Sequence, residues 1–260
     1  MPFETPGPGL ALLPLGPGFA AELRGLDLHQ PQPLPMVEAL HDALIAEGVL
    51  LLRGQSGGAS ALGRLAQQLA QVEQAALAQS PHQGAAPGIR ARPLGPSVES
   101  WRSIGSAGPM PATLALASAA SGRIAFADQQ AAAAALPAAL VDRIAGLRSL
   151  QMDPAAGGRA EHPLLRRHPL TGAALLAANP ARTARVLNLP PGESTDLLAR
   201  LQGAATDPAV VWTHAWAPGD VLIWDSRRVL YRGTVATRFV LDGDQPRPLP
   251  VADMAWVSAG

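Results

Sequence analysis

The chain has no cysteine and no lysine, and aromatic residues make up only 4% of its 260 positions. Without cysteine there is no disulfide, no thiolate metal ligand and no cysteine nucleophile. A surplus of charge of either sign is also absent, since 20 basic residues face 20 acidic ones. That balance argues against nucleic acid or an anionic bilayer as partner. No apolar run reaches the roughly 20 residues needed to cross a membrane. The opening MPFETPGPG has no basic segment followed by an apolar one, so no signal peptide is expected. All twenty basic residues are arginine. With 26 Gly and 26 Pro, this composition points to a GC-rich bacterial coding sequence. The expectation is a soluble, cytoplasmic globular protein.

Hydrophobic residues reach 48%, so a sizeable core built from Ala, Leu and Val is available. The length suits a single domain spanning 1–260. Residues 17–28 alternate as a strand ending in a turn, and MVEALHDALIA at 36–46 carries apolar residues at helical spacing. VLLLRG reads as a buried strand, and 59–72 as a second amphipathic helix. From about 75 to 111 Gly, Pro, Ser and Gln dominate, and a long loop or lid is expected there. ATLALASA and RIAFA read as strands around a Gly turn. An Ala-rich helical stretch follows, with Pro137 opening a second helix. RSLQM is a strand, 153–161 a polar loop, and HPLLRRHP and AALLAAN two extended segments around the turn LTG. A helix is expected over Asp196 to Ala204, capped near Glu193 and Ser194. The last third, AVVWTHAWA, VLIWD, RVLYRG and TRFVLDG, is strand-rich. The fold class expected is α+β, mainly β: a jelly-roll sheet pair with flanking helices.

Three blocks, in order, carry a family resemblance. GPGFAAELRGLDLHQPQP…ALHDALIAEGVLLLRGQ is the first, HPLLRRHPLTGAALLAANPARTARVLNLPPGES the second and WTHAWAPGDVLIWDSRRVLYRG the third. Together they resemble the taurine dioxygenase (TauD/TfdA) family of Fe(II)/2-oxoglutarate oxygenases. The resemblance implies a double-stranded β-helix and, in the family, iron held by two His and one carboxylate. The first His and the acid belong to a W-H-x-[DE] tetrapeptide, which here is Trp101-Arg102-Ser103-Ile104. The second His follows the WDNR motif, and at its place stands Tyr231. Arg102, Ile104 and Tyr231 are therefore the former metal-ligand positions. A guanidinium has no lone pair to offer, and about 4 Å from a divalent ion it repels by roughly 8 kcal/mol at an effective dielectric of about 20. No metal or other cofactor is expected. The Thr that holds 2-oxoglutarate in the family corresponds to Ile124. Of the two Arg of the last core strand only Arg238 remains, with Thr234 as the other candidate position.

For Arg102 two roles stand open. It could pair with an acid, Asp225 or Asp128, because a buried guanidinium needs a partner. It could instead bind a small anionic ligand together with Tyr231, Arg238 and Arg227. Tyr231, the sole tyrosine, has packing as its alternative role. Six histidines (His29, His41, His82, His162, His168, His214) show no paired ligand spacing. His82, in the expected lid, is the best placed of them for a metal, and His162 and His168 suit turns and packing. Trp101 and Trp224 suit the core, and Asp225 the turn after it. Three functions follow as alternatives: a family member that binds no iron and acts as a pseudoenzyme, small-anion binder or partner protein; an oxygenase of small carboxylates or sulfonates with iron held otherwise; and metal-free chemistry in the former pocket. The partner could be a second copy, forming a homo-oligomer, or an active relative.

Overall fold

The computed structural model describes residues 9–82, 90–93, 98–103, 112–153, 157–243 and 246–249. The chain opens with β1 (Ala11–Pro14) and β2 (Ala21–Arg24), then α1 (Leu34–Glu47). Gly48 ends α1 with φ 75°, a left-handed position that glycine takes without penalty. β3 (Val49–Leu52) follows with all four residues buried, and then α2 (Gly58–Gln79). The second helix runs past the expected end at 72, because Leu77 continues the buried stripe of Leu62, Leu65 and Leu69. β4 (Arg90–Pro93) and β5 (Val98–Arg102) come next.

The expected lid over 75–111 is thus corrected in three places. Its start is helical, and two of its segments are strands that find edge partners in separate sheets. Local composition did not announce them, since pairing to a distant strand overrides weak propensity.

β6 (Ala112–Ser118) and β7 (Arg123–Asp128) are both strands, but they do not form a hairpin. They pass into different sheets through Gly122, whose φ is 99°. α3 (Gln129–Ala134) is capped by Asp128, and α4 (Ala138–Ile144) begins after Pro137. β8 (Arg148–Met152) and β9 (Arg159–Pro163) follow, so the polar loop expected to reach 161 ends earlier. β10 (Leu165–Arg167) and β11 (Ala174–Leu176) pair antiparallel, as the two segments around LTG suggest. β12 (Thr183–Val186), absent from the sequence reading, precedes α5 (Pro191–Ala205). Ser194 lies inside α5 rather than capping it: its hydroxyl accepts the Val186 amide at 2.8 Å and ties the helix to β12. A short 3-10 turn leads to β13 (Val211–Ala215), β14 (Val221–Asp225), β15 (Val229–Gly233), β16 (Thr237–Asp242) and the two-residue β17 (Arg247–Pro248).

The large sheet has the order β1-β2-β3-β14-β6-β16-β4, and the small facing sheet β13-β7-β15-β5. Between them lies one apolar cluster holding Phe126, Leu222, Trp224, Tyr231 and Val240. α1 and α2 cover the other side of the large sheet. α3, α4, α5 and two three-stranded sheets cover the other side of the small one. This is the jelly-roll architecture with flanking helices expected from the sequence. No helix among the described residues is long and apolar enough to cross a membrane.

The turn from β14 to β15 joins the two sheets, and buried charges fix it. The Arg227 guanidinium donates to Asp225 Oδ1 at 2.9 Å, Asp225 Oδ2 at 2.7 Å and Glu73 Oε1 at 2.6 Å. His168 Nε2 donates to Asp225 Oδ2 at 2.9 Å, while its Nδ1 accepts the Leu170 and Thr171 amides. His41 Nε2 lies 2.7 Å from Glu73 Oε2. Burial alone would raise Asp225, but Arg227 and His168 outweigh it and hold this carboxyl well below its usual range. Glu73 is likewise lowered against its burial, by Arg227 and His41. Burial pulls His168 down, only partly offset by Asp225. Next door, Arg228 pairs with Asp128 at 2.8 Å and donates to the Ala46 carbonyl at 2.7 Å. A Cβ at Gly48 would come within 3.0 Å of the Arg228 side chain, so this glycine also makes room.

Replacing Arg227 by Leu should cost about 3–5 kcal/mol, since two buried carboxylates lose their cation; the urea midpoint measures it. Stability should also fall with acid in two stages. The lowered His168 leaves the unfolded chain to take up the proton first, so loss begins below about pH 6.5. The contributions of Asp225 and Glu73 are complete above the ordinary carboxylate values and vanish as pH falls through their lowered ones, which steepens the decline below about pH 4. A urea midpoint unchanged between about pH 7 and about pH 5 would contradict a neutral buried His168.

Candidate functional site

The inner face of the small sheet brings together residues far apart in sequence. Tyr231 on β15 stands opposite Arg102 on β5 and, on its other side, opposite Phe126 on β7. Two positions along, Gly233 stands opposite Ile124. Directly opposed residues project to the same face, as do residues two apart in one strand. Arg102, Tyr231, Phe126 and Ile124 therefore share the face turned to the large sheet. Ile124, Phe126 and Tyr231 are buried in the inter-sheet cluster, and the Tyr231 ring lies 5.3 Å from that of Trp224. From the large sheet, Arg238 on β16 donates through Nη1 to the Tyr231 hydroxyl, with its guanidinium carbon 5.6 Å from the ring centre.

Two of the three positions that the resemblance assigns to metal ligands thus stand side by side on adjacent strands. Ile104 lies outside the described residues. Two guanidinium groups meet there: one is bound to the Tyr231 hydroxyl and a second stands on the neighbouring strand. Among the described residues no group of three or more His, Asp or Glu side chains could hold a metal ion. A phenol already accepting from Arg238, flanked by a further arginine, does not fit a divalent ion either.

The acids expected to neutralise Arg102 are engaged elsewhere, Asp225 by Arg227 and His168, Asp128 by Arg228. Arg102 instead donates to the Ser100 hydroxyl at 3.3 Å, and its buried Nε has no partner among the described residues. Arg227, grouped by sequence with the anion-binding candidates, is set apart from Arg102 and Tyr231 by its bonds to Asp225 and Glu73. Those two acids lie at the end of β14 and on α2.

Arg182 is the residue that sequence reasoning missed. Its neighbour Ala181 donates its amide to the Trp101 carbonyl at 3.2 Å, which sets this loop against the end of β5. Asn179 Nδ2 donates to the Ser103 hydroxyl at 3.4 Å, and Arg182 pairs with Asp153. The Asn179-Pro180 turn signal, which folds the chain back here, was available in the sequence. Burial pushes the Tyr231 phenol up, and the charges of Arg238, Arg102 and Arg182 only partly pull it back.

Thr234 lies beside the turn at Gly122, two residues before Ile124, the position that the resemblance links to the co-substrate. Thr234 donates its amide to the Arg123 carbonyl at 2.8 Å, and a Cβ on Gly122 would meet Thr234 Oγ1 at 2.7 Å. The histidines are spread through the fold. His82 Nδ1 accepts from Arg167 at 2.9 Å, which gives it a cation as neighbour rather than a second ligand. His214 pairs with Asp220 at 2.8 Å. His29 Nδ1 lies 3.4 Å from Ser56 Oγ. His168 has the packing and turn role expected of it. Trp224 is fully buried, whereas Trp101 is half-buried on the outer face with Arg232 4.7 Å above its ring.

A family model described as taurine catabolism dioxygenase TauD, TfdA family matches residues 11–247. Among curated proteins, pentalenolactone F synthase of Streptomyces avermitilis is 33% identical over 96 residues, covering 37% of this chain and 30% of that protein. The (S)-phenoxypropionate/alpha-ketoglutarate-dioxygenase of Sphingobium herbicidovorans is 40% identical over 73 residues, 28% of this chain and 25% of its own length. The chain thus matches less than a third of the length of either relative. Among solved structures, a taurine dioxygenase from Burkholderia xenovorans superposes with TM-score 0.78 at 22% identity, covering 93% of both chains. AAD-2, solved in complex with Mn(II) and N-oxalylglycine, does so with TM-score 0.74 at 22% identity, covering 91% of this chain and 98% of that one.

Because Tyr231 is the only tyrosine, an alkaline absorbance titration reads this site alone. Its ionisation should occur above pH 10. Arg238→Met should move it higher still, since a cation that favours the phenolate is removed. A midpoint at the ordinary value, or a downward shift in the variant, would contradict the geometry.

Proposed function

The chain belongs to the TauD, TfdA dioxygenase family, and from that membership we propose that it does not hold Fe(II) at the family's position and instead presents a guanidinium–phenol cluster to a small anion. The observation that carries this reading is the pairing of Arg102 with Tyr231 across adjacent strands, with Arg238 bound to the same phenol. Where the resemblance calls for two imidazoles and a carboxylate, the described residues supply a fixed positive charge and a neutral hydroxyl. Such a set repels a cation and favours an oxyanion. Guanidinium groups offer paired N–H donors to a carboxylate or sulfonate, and charge-assisted bonds of this kind are roughly twice as strong as neutral ones. In this reading Arg102 and Arg238 bind the anion and the Tyr231 hydroxyl orients it. No oxidation step is assigned to the chain, which acts as a binding or partner protein on a dioxygenase scaffold.

A second reading is an oxygenase that holds iron through other residues. It draws on the names of the curated relatives, which are oxygenases of small organic acids in the case of the Sphingobium protein. It predicts iron-dependent decarboxylation of 2-oxoglutarate.

Anaerobic titration with Fe(II) and 2-oxoglutarate separates the two. The expected outcome is no charge-transfer absorption at saturating concentrations; the band of a chelated complex would falsify the iron-free reading. Succinate and methanesulfonate should quench tryptophan emission in the wild type, Trp224 being next to Tyr231. Arg102→Ala should weaken that binding about tenfold or more, the worth of one charge-assisted contact, with the urea midpoint little changed. An altered midpoint with no anion response in either protein would mean that Arg102 only packs.

A further inference from the structure

On the opposite face of the small sheet from Tyr231 lies a second feature, independent of the anion-binding reading. It is a cavity of about 30 Å³ between β15 and the layer that covers it, lined by Gln129, Gln151, Ser103, Arg166, Asn179 and Leu230 among others. Its two glutamines come from different elements, Gln129 from the start of α3 and Gln151 from β8. Both are 2% exposed.

Each glutamine uses its amide nitrogen fully. Gln129 Nε2 donates to the Ala127 carbonyl at 3.0 Å and the Ala205 carbonyl at 2.8 Å. Those two carbonyls fix the orientation of the amide, because turning it over would set oxygen against oxygen. Gln151 Nε2 donates to Thr183 Oγ1 at 2.7 Å and Ser149 Oγ at 3.1 Å, and reaches the Ala177 carbonyl at 3.4 Å. The amide oxygens of both are buried and have no partner among the described residues. Buried acceptors in native proteins are nearly always satisfied, so two on residues that line one cavity call for a donor.

The lining restricts what that donor is. The guanidinium residues Arg166 and Arg227 both border the cavity, which disfavours a metal ion or ammonium. An anion would face two carboxamide oxygens. A neutral donor remains. A buried water needs roughly 10–15 Å³ of such volume and two or more polar partners, so the space matches about two waters.

We propose that this cavity is a built site for two ordered water molecules, one on each glutamine oxygen, bridging α3 and β8 to the end of β5 at Ser103. Ser103 follows Arg102, and Leu230 precedes Tyr231. The waters therefore back the strand pair whose other face carries the guanidinium–phenol cluster.

A crystal structure of the full chain at high resolution tests this directly. Expected is density for water within hydrogen-bonding distance of both glutamine oxygens. A cavity without density, or either oxygen bonded to a protein donor, overturns the proposal. Ala177→Val gives a second test whose sign discriminates, since Ala177 borders the same space. If waters occupy it, two added methyls displace them, strip the glutamine oxygens of partners and lower the thermal midpoint by about 3–6 °C. If the space is dry, filling it raises the midpoint, and the proposal fails. Should the variant not fold, counting long-lived internal waters in the wild type by magnetic relaxation dispersion decides: a pair supports the site and none sinks it.

Discussion

The position of everything else in this fold follows from where one guanidinium is anchored. Arg227 sits on the turn that carries the chain from the large sheet to the small one, and it is held by an acid two residues before it and by another on α2. Through Glu73 it reaches His41 on α1, and through Asp225 it reaches His168 in the loop after β10. Helical layer, large sheet, small sheet and covering loop therefore meet in one group of charges. Desolvating that many ionised groups is costly, and the cost is offset only when each finds its partner in good geometry. That condition fixes the start of β15, and with it the height at which Tyr231 enters the space between the sheets.

The arginines between and beside the sheets thus differ in what they bind. Arg227 and Arg228 are held by carboxylates and by a backbone carbonyl, and they hold strands together. Arg102 donates to the Ser100 hydroxyl and Arg238 to the Tyr231 phenol. A chain without lysine must use guanidinium for both purposes, and the difference between structure and site lies in what faces each one. This is why Arg227, which looks in the sequence like a neighbour of the site, belongs to the frame.

The sequence disclosed most of the frame. Apolar spacing marked α1 and α2, the run VLLL marked the buried β3, and the last third displayed its strands openly. What it hid were strands whose existence depends on a distant partner: β4 and β5 in a Gly- and Pro-rich stretch, and β12 after an Asn-Pro turn. The site was half legible. The resemblance located Arg102 and Tyr231, and their register then places them side by side. It could not say that Asp225 and Asp128 were already taken, because both are claimed by arginines adjacent in sequence but divergent in space. Arg182 stayed hidden because it reaches the site only through the fold-back of its loop.

The strand order has a consequence for how the chain comes to be folded. β3 lies between β2 and β14, and β6 lies between β14 and β16. Strands made early in synthesis therefore have no complete set of neighbours until residues 221–242 have been added. Pairings of such long sequence separation form slowly, since the loop must close before any contact rewards it. A nascent chain would expose the apolar edges of VLLL and ATLALAS until residues 221–242 leave the ribosome, a stage at which unpaired strands invite aggregation. The β14–β15 turn with its buried arginine then acts as a stitch between the two sheets.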